Sequence, residues 1–591
     1  MKNETKQCQN CKKDFIIEPD DFAFYEKIKV PAPTFCPECR LIRRLSMRNE
    51  RSLYKRACDL CKKEVISTYS SDKKLKTYCP ECYKSDGWDP LDYGRDYDFD
   101  KSLFEQLNTL FRDVPRPTLK VKNSVNCEYS EDIVSSKNCY FVFGGYLAED
   151  CLYSYAPVLS KNCVDVTVAY KSEKIYEVTD CNGLYNTLFA RLSDDTMDSA
   201  FIVDCDGCTN CFGSTNLRRS KYYIFNKPYV KQDYQKERAK WDLGSYKSLT
   251  EAKSKFEEIY YATPRRYATI VNAPNSTGDY IVNGKNCQYC FSVIDGAENL
   301  KYVQLAGLAT KDSYDVWGGA VQTQLAYENV GGLAVENGAF SNRLHNTLDA
   351  RYSDSCFNCA HIFGCAGLKS KEYCIFNKQY AKKEYEELLM KIIEQAKKVP
   401  YKDRAGREYR FGEYLPTEFS PFDYNESLAQ EKFPLTKEEA LEKKYPWHTA
   451  EVRNYHATLK TENIPDHINQ IQDSIINEII ECAHRGQCEQ KCSGAFKIIP
   501  QELRFYQRIG VALPRLCPNC RHAERERNRN PWKLYQRNCH CAGTQSENNL
   551  YTNTNKHFHG NAHCPNSFLT PYSPNRKEIV YCENCYKAEF L

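Results

Sequence analysis

The sequence predicts a multi-domain fold in which duplicated cysteine-rich modules at both ends flank a duplicated β-solenoid, with short α-helical caps and linkers. Three observations predict it. The segment 11–58 aligns without a gap to 492–539, with 20 of 48 positions identical. Between the ends, Asn-Cys or Asp-Cys pairs recur every twelve residues. Two longer motifs in the middle also occur twice, so both architectures are internally repeated.

The N-terminal module contains four cysteine pairs with the CxxC spacing, which supplies two thiolates to one zinc ion. Sequential pairing predicts one site from Cys8, Cys11, Cys36 and Cys39, and a second from Cys58, Cys61, Cys79 and Cys82. A crossed pairing fits the spacing equally. The first site, whose second pair opens a helix-like run, resembles a treble clef, and the second resembles a zinc ribbon. No histidine precedes His345, so complete zinc sites here are all-cysteine.

The C-terminal module departs from this spacing. Its predicted ligands are Cys488, Cys492, Cys517, Cys520, Cys539, Cys541, Cys582 and Cys585. Further side chains compete as ligands and leave the pairing open: Cys482, His484, His540, His557, His559, His563 and Cys564. The two ends together predict about four structural zinc ions per chain.

Zinc is favoured over disulfides by the cysteine content and by the predicted compartment. The chain has 32 Cys in 591 residues, below the range of disulfide scaffolds. The first residues form no apolar signal segment, and no run of 18 apolar residues is present. We therefore expect a cytoplasmic protein without membrane contact, in which CxxC pairs bind metal.

The middle of the chain predicts a β-solenoid. Asn126, Asn138, Asp150 and Asn162 each precede a cysteine, and aromatic and aliphatic residues alternate after them. Alternation predicts strands, and the fixed period predicts stacked rungs of 12 or 24 residues. The cysteines are interpreted as a buried ladder of small apolar side chains. Since residues i and i+3 of a flat strand face opposite sides, the CxxC pairs within 205–211, 287–290 and 356–359 would chelate metal only around a turn.

The second solenoid half repeats two motifs of the first. Leu184–Asp194 returns as Leu344–Asp354, and Tyr222–Tyr229 returns as Tyr373–Tyr380. The first motif suggests a polar ligand site made of Arg191, Asp194, Arg351 and Asp354, although a structural pairing of these side chains is the favoured interpretation. The Lys- and Glu-rich segments 231–241 and 382–398 are predicted helical caps that protect the solenoid edge.

These patterns predict a succession of domains along the chain. The predicted N-terminal double zinc module spans 1–83, and a helical linker spans 84–122. The solenoid halves span 123–229 and 272–380, with a cap and linker at 230–271 between them. A helical and irregular linker at 381–480 precedes the C-terminal double zinc module at 481–591.

Charge is concentrated at the two ends. Residues 1–83 hold 18 Lys and Arg against 12 Asp and Glu, and residues 482–591 hold 16 against 8. The negative charge of the thiolates in filled zinc sites offsets part of this excess of positive charge. Arg40, Arg44 and Arg48 lie on one face of a predicted helix and recur as Arg521, Arg525 and Arg529, a stripe suited to holding phosphates. A solvated helix face, or arginines packed over aromatic rings, is the alternative.

The motifs that combine these features are 33–40, 48–50, 222–229 and 514–522. On these residues the chain resembles an uncharacterised family of cytoplasmic zinc-ribbon and β-solenoid proteins of candidate-phylum bacteria, some of which carry a CoA-transferase label. The resemblance covers nearly the whole chain and implies no activity.

Three functional hypotheses follow. The first is a non-catalytic zinc protein whose rigid solenoid presents basic zinc modules to nucleic acid or a protein complex. The second is an enzyme, either a treble-clef nuclease that uses the His-rich insertion or a β-helix carbohydrate enzyme that uses Asp194 and Asp354. The third is a pure protein-interaction scaffold. The N-terminal copy has no histidine that could act as the base of a nuclease, and the sequence shows no paired-carboxylate motif of a carbohydrate enzyme. Neither form of the enzyme hypothesis is therefore supported by a motif.

Overall fold

The computed structural model describes residues 2–449, 455–488, 491–546 and 549–591. The fold is multi-domain and rich in sheet, with cysteine clusters at both ends, as predicted. It has two compact units, and each is built from two separated segments of the chain. Unit 1 joins Met1–Lys120 to Ala268–Thr449, and unit 2 joins Val121–Tyr267 to Ala450–Leu591. The predicted domains therefore do not fold as a simple succession, because each cysteine-rich end shares a unit with the more distant of the two middle segments.

The middle segment of unit 2 is a stack of short parallel strands, called here stack 2. Neighbouring strands pair at an offset of twelve residues, as Cys127 does with Cys139 and Cys163 with Ile175. Twelve residues is therefore the repeat. The strands are Val121–Lys122, Val125–Glu128, Ile133–Val134, Lys137–Tyr140, Tyr155–Val158, Lys161–Tyr170, Glu173–Asn182, Tyr185–Arg191, Ala200–Val203, Thr209–Thr215, Lys221–Ile224 and Lys227–Pro228.

The backbone of stack 2 bends at every third residue. Each third position from Asn123 to Phe225 has a positive φ, the left-handed conformation that ends an extended segment. Each repeat of twelve therefore has four corners, and the residue just after each corner points inward. The buried interior follows this spacing: Ile133, Cys139, Val142, Ala148, Cys151 and Cys163. The predicted two-residue alternation is wrong, and residues i and i+3 face the same interior.

The interior of stack 2 is narrow and lined by small side chains that bond the backbone. Ser136 Oγ donates to Val134 O and accepts from Ala148 N, and Ser160 repeats this with Val158 O and Ser172 N. Cys139 Sγ donates to Lys137 O at 3.5 Å. The predicted ladder of buried small cysteines is confirmed, and the Cys205, Cys208 and Cys211 side chains lie in the same interior.

The corresponding segment of unit 1, stack 1, has the same parallel pairing with offsets of 11 to 14 residues, as between Ile270 and Ile281, Lys285 and Glu298, and Ala306 and Ala320. Gly278 shows how closely its rungs approach: a Cβ there would lie 1.7 Å from Cys290 O. The strands are Ile270–Val271, Gly278–Val282, Lys285–Gln288, Cys290–Ile294, Glu298–Lys301, Gln304–Gly307, Lys311–Ala320, Tyr327–Ala339, Asn342–Arg351, Ala360–Phe363, Glu372–Ile375 and Lys378–Gln379.

The repeated Ile-Phe-Asn-Lys motif ends each stack. Asn226 and Asn377 adopt a positive φ, and their Oδ1 atoms accept the backbone N–H of Thr215 and Ala366 at 2.8 Å. The chain then reverses in a short antiparallel pair and enters a helix, in agreement with the predicted caps. The helices that follow the stacks are Lys231–Arg238, Tyr246–Ala262 and Lys382–Lys398.

The cysteine-rich segment of unit 1 consists of hairpins and short helices. Its strands are Glu4–Gln7, Asp14–Ile17, Tyr54–Ala57, Glu64–Ser67, Thr77–Tyr78 and Arg116–Pro117; its α-helices are Pro19–Lys27, Pro37–Ser46, Pro80–Lys84 and Leu103–Asp113, with a 3-10 helix at Pro90–Tyr93. The last α-helix lies in the predicted helical linker and is capped by Ser102, whose side chain accepts Glu105 N. Downstream of the Lys382–Lys398 helix, unit 1 has strands Tyr401–Lys402 and Glu408–Tyr409, 3-10 helices Thr417–Phe419 and Tyr424–Glu426, and helices Leu428–Lys432 and Lys437–Glu442.

The cysteine-rich segment of unit 2 repeats this plan. Its strands are Arg265–Arg266, Ile480–Glu481, Ala495–Phe496, Tyr535–Asn538, Cys541–Ala542, Gln545–Ser546, Ser567–Thr570 and Val580–Tyr581; its helices are Pro500–Ile509, Pro518–Arg527 and Glu583–Phe590, with 3-10 helices Thr461–Asn463, Ile468–Gln470 and Asp473–Asn477. Within the described ranges, no helix combines the length and the apolar character needed to cross a membrane.

Candidate metal centres and arginine clamps

Four cysteine tetrads are brought together, two in each unit, and the four sulfur atoms of each lie within 4.8 Å of one another. Unit 1 holds the tetrad of Cys8, Cys11, Cys36 and Cys39 and the tetrad of Cys58, Cys61, Cys79 and Cys82. The sequential pairing, rather than the crossed one, is therefore the arrangement in the folded chain. Unit 2 holds the tetrad of Cys482, Cys492, Cys517 and Cys520 and the tetrad of Cys539, Cys564, Cys582 and Cys585.

The four tetrads share one local geometry. The backbone N–H of the third cysteine donates to the sulfur of the first, at 3.3 Å for Cys36 to Cys8 and 3.2 Å for Cys517 to Cys482. The corresponding distances in the other two tetrads are 3.2 and 3.1 Å. The third cysteine also caps a helix in each case. An N–H aimed at a sulfur stabilises its thiolate, the form that binds metal.

In the third tetrad the first ligand is Cys482, where the sequence predicted Cys488. Cys482 follows strand Ile480–Glu481, whose antiparallel partner is Ala495–Phe496, just as Cys8 follows a strand of the first hairpin. Cys488 lies in the loop between ligands, with its Sγ 3.6 Å from Cys520 Sγ, and is a fifth thiol beside the tetrad. The pKa of Cys517 is lowered to about 4, chiefly by the hydrogen bond from Cys482 and against the effect of burial.

In the fourth tetrad Cys564 takes the position for which Cys541 was predicted. By the offset of the repeat, Cys61 corresponds to Ala542, so the C-terminal copy lacks that ligand. Cys564 replaces it from the insertion: its Sγ lies 3.8 Å from Cys582 Sγ, as Cys61 Sγ lies 3.9 Å from Cys79 Sγ. Cys541 is grouped instead with two histidines and Cys585.

The six arginines of the predicted stripes are buried, with at most 8% of any of them exposed. Five of them pair with carboxylates of the stacks: Arg40 and Arg44 in unit 1, and Arg521, Arg525 and Arg529 in unit 2. Arg48 pairs with Glu50 and lies over the ring of Trp317 in stack 1, 5.0 Å from its centroid. The six arginines therefore form no accessible phosphate-binding surface. The prediction of phosphate binding by Arg40, Arg44, Arg48, Arg521, Arg525 and Arg529 is wrong for this reason.

One aspartate in each stack is held by two arginines four residues apart, an arrangement called here the arginine clamp. In unit 1, Arg40 Nη2 lies 2.8 Å from Asp315 Oδ2 and Arg44 Nη1 lies 3.0 Å from Asp315 Oδ1. Asp315 has a positive φ and so stands at a corner of the stack. Residues i and i+4 of a helix lie on one face, which lets both arginines reach one carboxylate.

The clamp of unit 2 repeats this arrangement, with one arginine on each oxygen of the aspartate. Arg521 Nη1 lies 3.0 Å from Asp165 Oδ2, and Arg525 Nη1 lies 2.8 Å from Asp165 Oδ1. Asp165 is again a corner residue, and its side chain is fully buried. Burial lowers the pKa of Arg521, but the Asp165 carboxylate and its neighbours outweigh this and raise it well above the usual value. The internal repeat has thus retained the clamp arginines together with three cysteines of the adjacent tetrad, since Cys492, Cys517 and Cys520 match Cys11, Cys36 and Cys39.

Further carboxylates complete each clamp. Glu328 lies 3.1 Å from Arg43 Nη2 and 3.4 Å from Arg44 Nη1, and Glu502 Oε1 lies 3.1 Å from Arg521 Nη1. Arg529 Nη2 contacts Asp180 Oδ1 at 2.7 Å. Buried charges need such partners, because a buried charge that loses its partner costs several kcal/mol.

The predicted polar site on the repeated stack motif does not form as a shared pocket. Asp354 is buried and pairs with Arg116 Nη1 at 2.7 Å, whereas Arg351 Nη2 donates to Ile28 O at 2.7 Å. In unit 2, Arg191 lies over the ring of Tyr260, 4.6 Å from its centroid, and Asp194 Oδ1 accepts Asn182 N at 3.0 Å. These contacts fit the interpretation that the four residues have structural roles rather than forming a ligand site.

Sequence reasoning missed three sets of functional side chains, namely the ligands Cys482 and Cys564, the clamped aspartates Asp165 and Asp315, and Glu589 beside His557. Of these side chains, only Cys482 and Cys564 could have been found from the sequence, where both are among the candidates that compete as metal ligands. Comparison with known proteins adds no relative: no protein-family model matches the chain, and no curated protein matches it.

Proposed function

We propose that this protein is a non-catalytic scaffold in which structural zinc ions lock cysteine-rich modules onto two β-solenoid stacks. The observation that supports it most strongly is the closure of the tetrads. Four cysteine thiolates complete the tetrahedral shell that zinc adopts in structural sites, so no position remains for water or substrate.

The tetrads have a mechanical role in this proposal. The third and fourth cysteines of the first and third tetrads belong to the first turn of the helix that bears a clamp. A metal ion bound there fixes the start of that helix, and the arginines one and two turns later reach the buried aspartate. Metal binding is thereby coupled to docking of the module on the stack.

The contacts of the candidate catalytic groups disfavour an enzyme. His557 Nε2 lies 3.1 Å from Glu589 and Nδ1 lies 3.3 Å from Cys541 Sγ, so this ring is committed to a cluster and unsuited to act as a nuclease base. Asp354 is buried against Arg116. A cavity of about 590 Å³ in unit 1 includes Asp423, but that carboxylate pairs with Lys73 at 2.7 Å. No carboxylate pair for glycoside hydrolysis is evident among these groups.

A protein complex is the favoured partner class. Phosphate contacts supply most of the affinity of sequence-independent nucleic-acid binding, and the arginines predicted for this task are engaged with carboxylates. The exposed corners of the stacks instead present ladders of amides and carboxylates, such as Asn275 to Asn286 to Asn299, which continues to Asp312.

Metal analysis of the purified chain tests the proposal. We expect at least four zinc ions per chain, because four closed tetrads are present, and we expect a strong chelator to loosen both modules. Elemental analysis combined with limited proteolysis before and after chelation measures both effects. Fewer than two ions, or the visible absorbance of iron–sulfur clusters, would contradict a structural zinc role.

A further inference from the structure

The C-terminal end contains more metal-binding side chains than one ion can use. Besides the tetrad of Cys539, Cys564, Cys582 and Cys585, a second set of four donors lies within the same 4.8 Å limit: Cys541, His557, His559 and Cys585. Cys585 belongs to both sets. All seven side chains are buried except His559, which is partly buried.

We propose that this end binds a pair of zinc ions bridged by the Cys585 thiolate. Two four-coordinate ions need eight ligand positions, and seven donors supply eight when one thiolate is shared. One ion takes the four-cysteine set, and the second takes two sulfurs and two nitrogens, a set that also suits zinc. The proposal rests on the proposed structural role of the fourth tetrad and adds a fifth ion to the chain.

The two histidine rings are oriented for this second ion. His557 Nε2 lies 3.1 Å from the Glu589 carboxylate, which leaves Nδ1 facing Cys541 Sγ at 3.3 Å. His559 Nδ1 lies 2.7 Å from Ala562 O, which leaves Nε2 facing Cys585 Sγ at 3.2 Å. Metal-bound histidines almost always present their other nitrogen to a carboxylate or a backbone carbonyl in this way.

The surroundings hold these groups in place. Glu589 Oε1 accepts hydrogen bonds from Tyr551 Oη at 2.6 Å and from Thr554 N at 2.7 Å, and Asn553 Nδ2 donates to Cys541 Sγ at 3.2 Å. Unit 1 offers no equivalent of the second set at its own second tetrad, because Cys541 corresponds to Leu60 and the histidines lie in an insertion. The pair is therefore specific to the C-terminal end.

Native mass spectrometry of the full-length protein loaded with zinc tests the pair. His559 belongs only to the second set and Cys564 only to the first. We expect His559→Gln to lose one ion, and the double variant His559→Gln/Cys564→Ser to lose two, while the ions of unit 1 stay bound as an internal standard. His563→Gln, which replaces an exposed neighbouring histidine outside both sets, should keep the wild-type count.

The differences in the number of bound ions between the variants test the proposal. An unchanged count in His559→Gln, or a total loss of only one ion in the double variant, would mean that a single ion occupies this end and would overturn the pair. The absolute count tests the proposed function separately: fewer than four ions in His559→Gln would contradict the four all-cysteine sites even if the differences were as expected. Glu589→Gln should weaken retention of the second ion about 10- to 100-fold against a chelator, because it removes the carboxylate that fixes His557.

Discussion

Replacing Asp165 by asparagine is expected to destabilise unit 2 by about 3–5 kcal/mol, because Arg521 and Arg525 stay buried after losing the negative charge between them. A folded domain has a total stability of about 5–15 kcal/mol, so this is a large fraction. Hydrogen exchange in increasing urea, read on peptides of stack 2, measures the change.

Asp198→Asn is the matched control. Asp198 is also a corner residue with positive φ, but it is exposed and accepts a hydrogen bond from the neutral Asn186 Nδ2 at 2.7 Å. An asparagine there would extend an amide ladder, and we expect a change within about 0.5 kcal/mol. Equal effects of the two substitutions would show that the clamp contributes nothing beyond the corner geometry.

Cys517→Ser is expected to release the metal of the third tetrad and to loosen the helix Pro518–Arg527, since Cys517 is both the N-cap of that helix and one of the four ligands of the tetrad. Structural zinc contributes about 10–16 kcal/mol of apparent binding free energy in zinc-finger peptides, so the loss should exceed that of any single buried contact. Metal content and urea unfolding of the variant measure it.

Cys163→Ser is the matched control, because it makes the same substitution at a buried cysteine that belongs to no tetrad. Cys163 is fully buried in stack 2 and donates to Lys161 O at 3.3 Å. Serine makes the same bond at Ser160 and Ser172, so the substitution should cost less than about 1.5 kcal/mol and should leave the metal content unchanged. A metal loss in Cys163→Ser would contradict the assignment of the stack cysteines as interior packing.

The sequence predicted what is encoded locally. CxxC spacing located both tetrads of unit 1 and two ligands of each tetrad in unit 2, because a tight turn brings its two cysteines together whatever surrounds it. The internal repeat gave one more ligand in each tetrad of unit 2, since Cys492 matches Cys11 and Cys539 matches Cys58. The remaining ligands, Cys482 and Cys564, come from longer loops whose paths no spacing rule specifies. The twelve-residue period could also be read from the sequence, as could the helical caps predicted at 231–241 and 382–398, where the helices Lys231–Arg238 and Lys382–Lys398 lie.

The course of the chain within each repeat was misread, although a signal was present. Small or aliphatic residues recur at every third position, as at Ser130, Ile133, Ser136 and Cys139, but the aromatic residues between them suggested two-residue alternation. A left-handed corner at every third residue is a backbone property that alternation rules do not include.

The buried carboxylate partners of the arginines could not be predicted, although packing over aromatic rings was one interpretation, and Arg40, Arg48 and Arg521 do lie over the rings of Tyr302, Trp317 and Tyr153. Arg40 and its partner Asp315 are separated by 275 residues, and Arg525 and Asp165 by 360. A basic helix face looks the same in sequence whether it meets water, phosphate or a buried carboxylate. The assignment of each cysteine-rich end to its stack is likewise a long-range property of the folded chain.

The most direct test of that assignment is hydrogen exchange on Cys36→Ser and Cys517→Ser, compared peptide by peptide. Cys36→Ser should raise exchange in stack 1, residues 268–380, and leave stack 2 near wild type. Cys517→Ser should do the reverse and raise exchange in residues 121–229. If instead each variant loosened the stack that is its nearer neighbour in sequence, or if neither stack responded, the coupling of metal centres to stacks through the arginine clamps would be wrong.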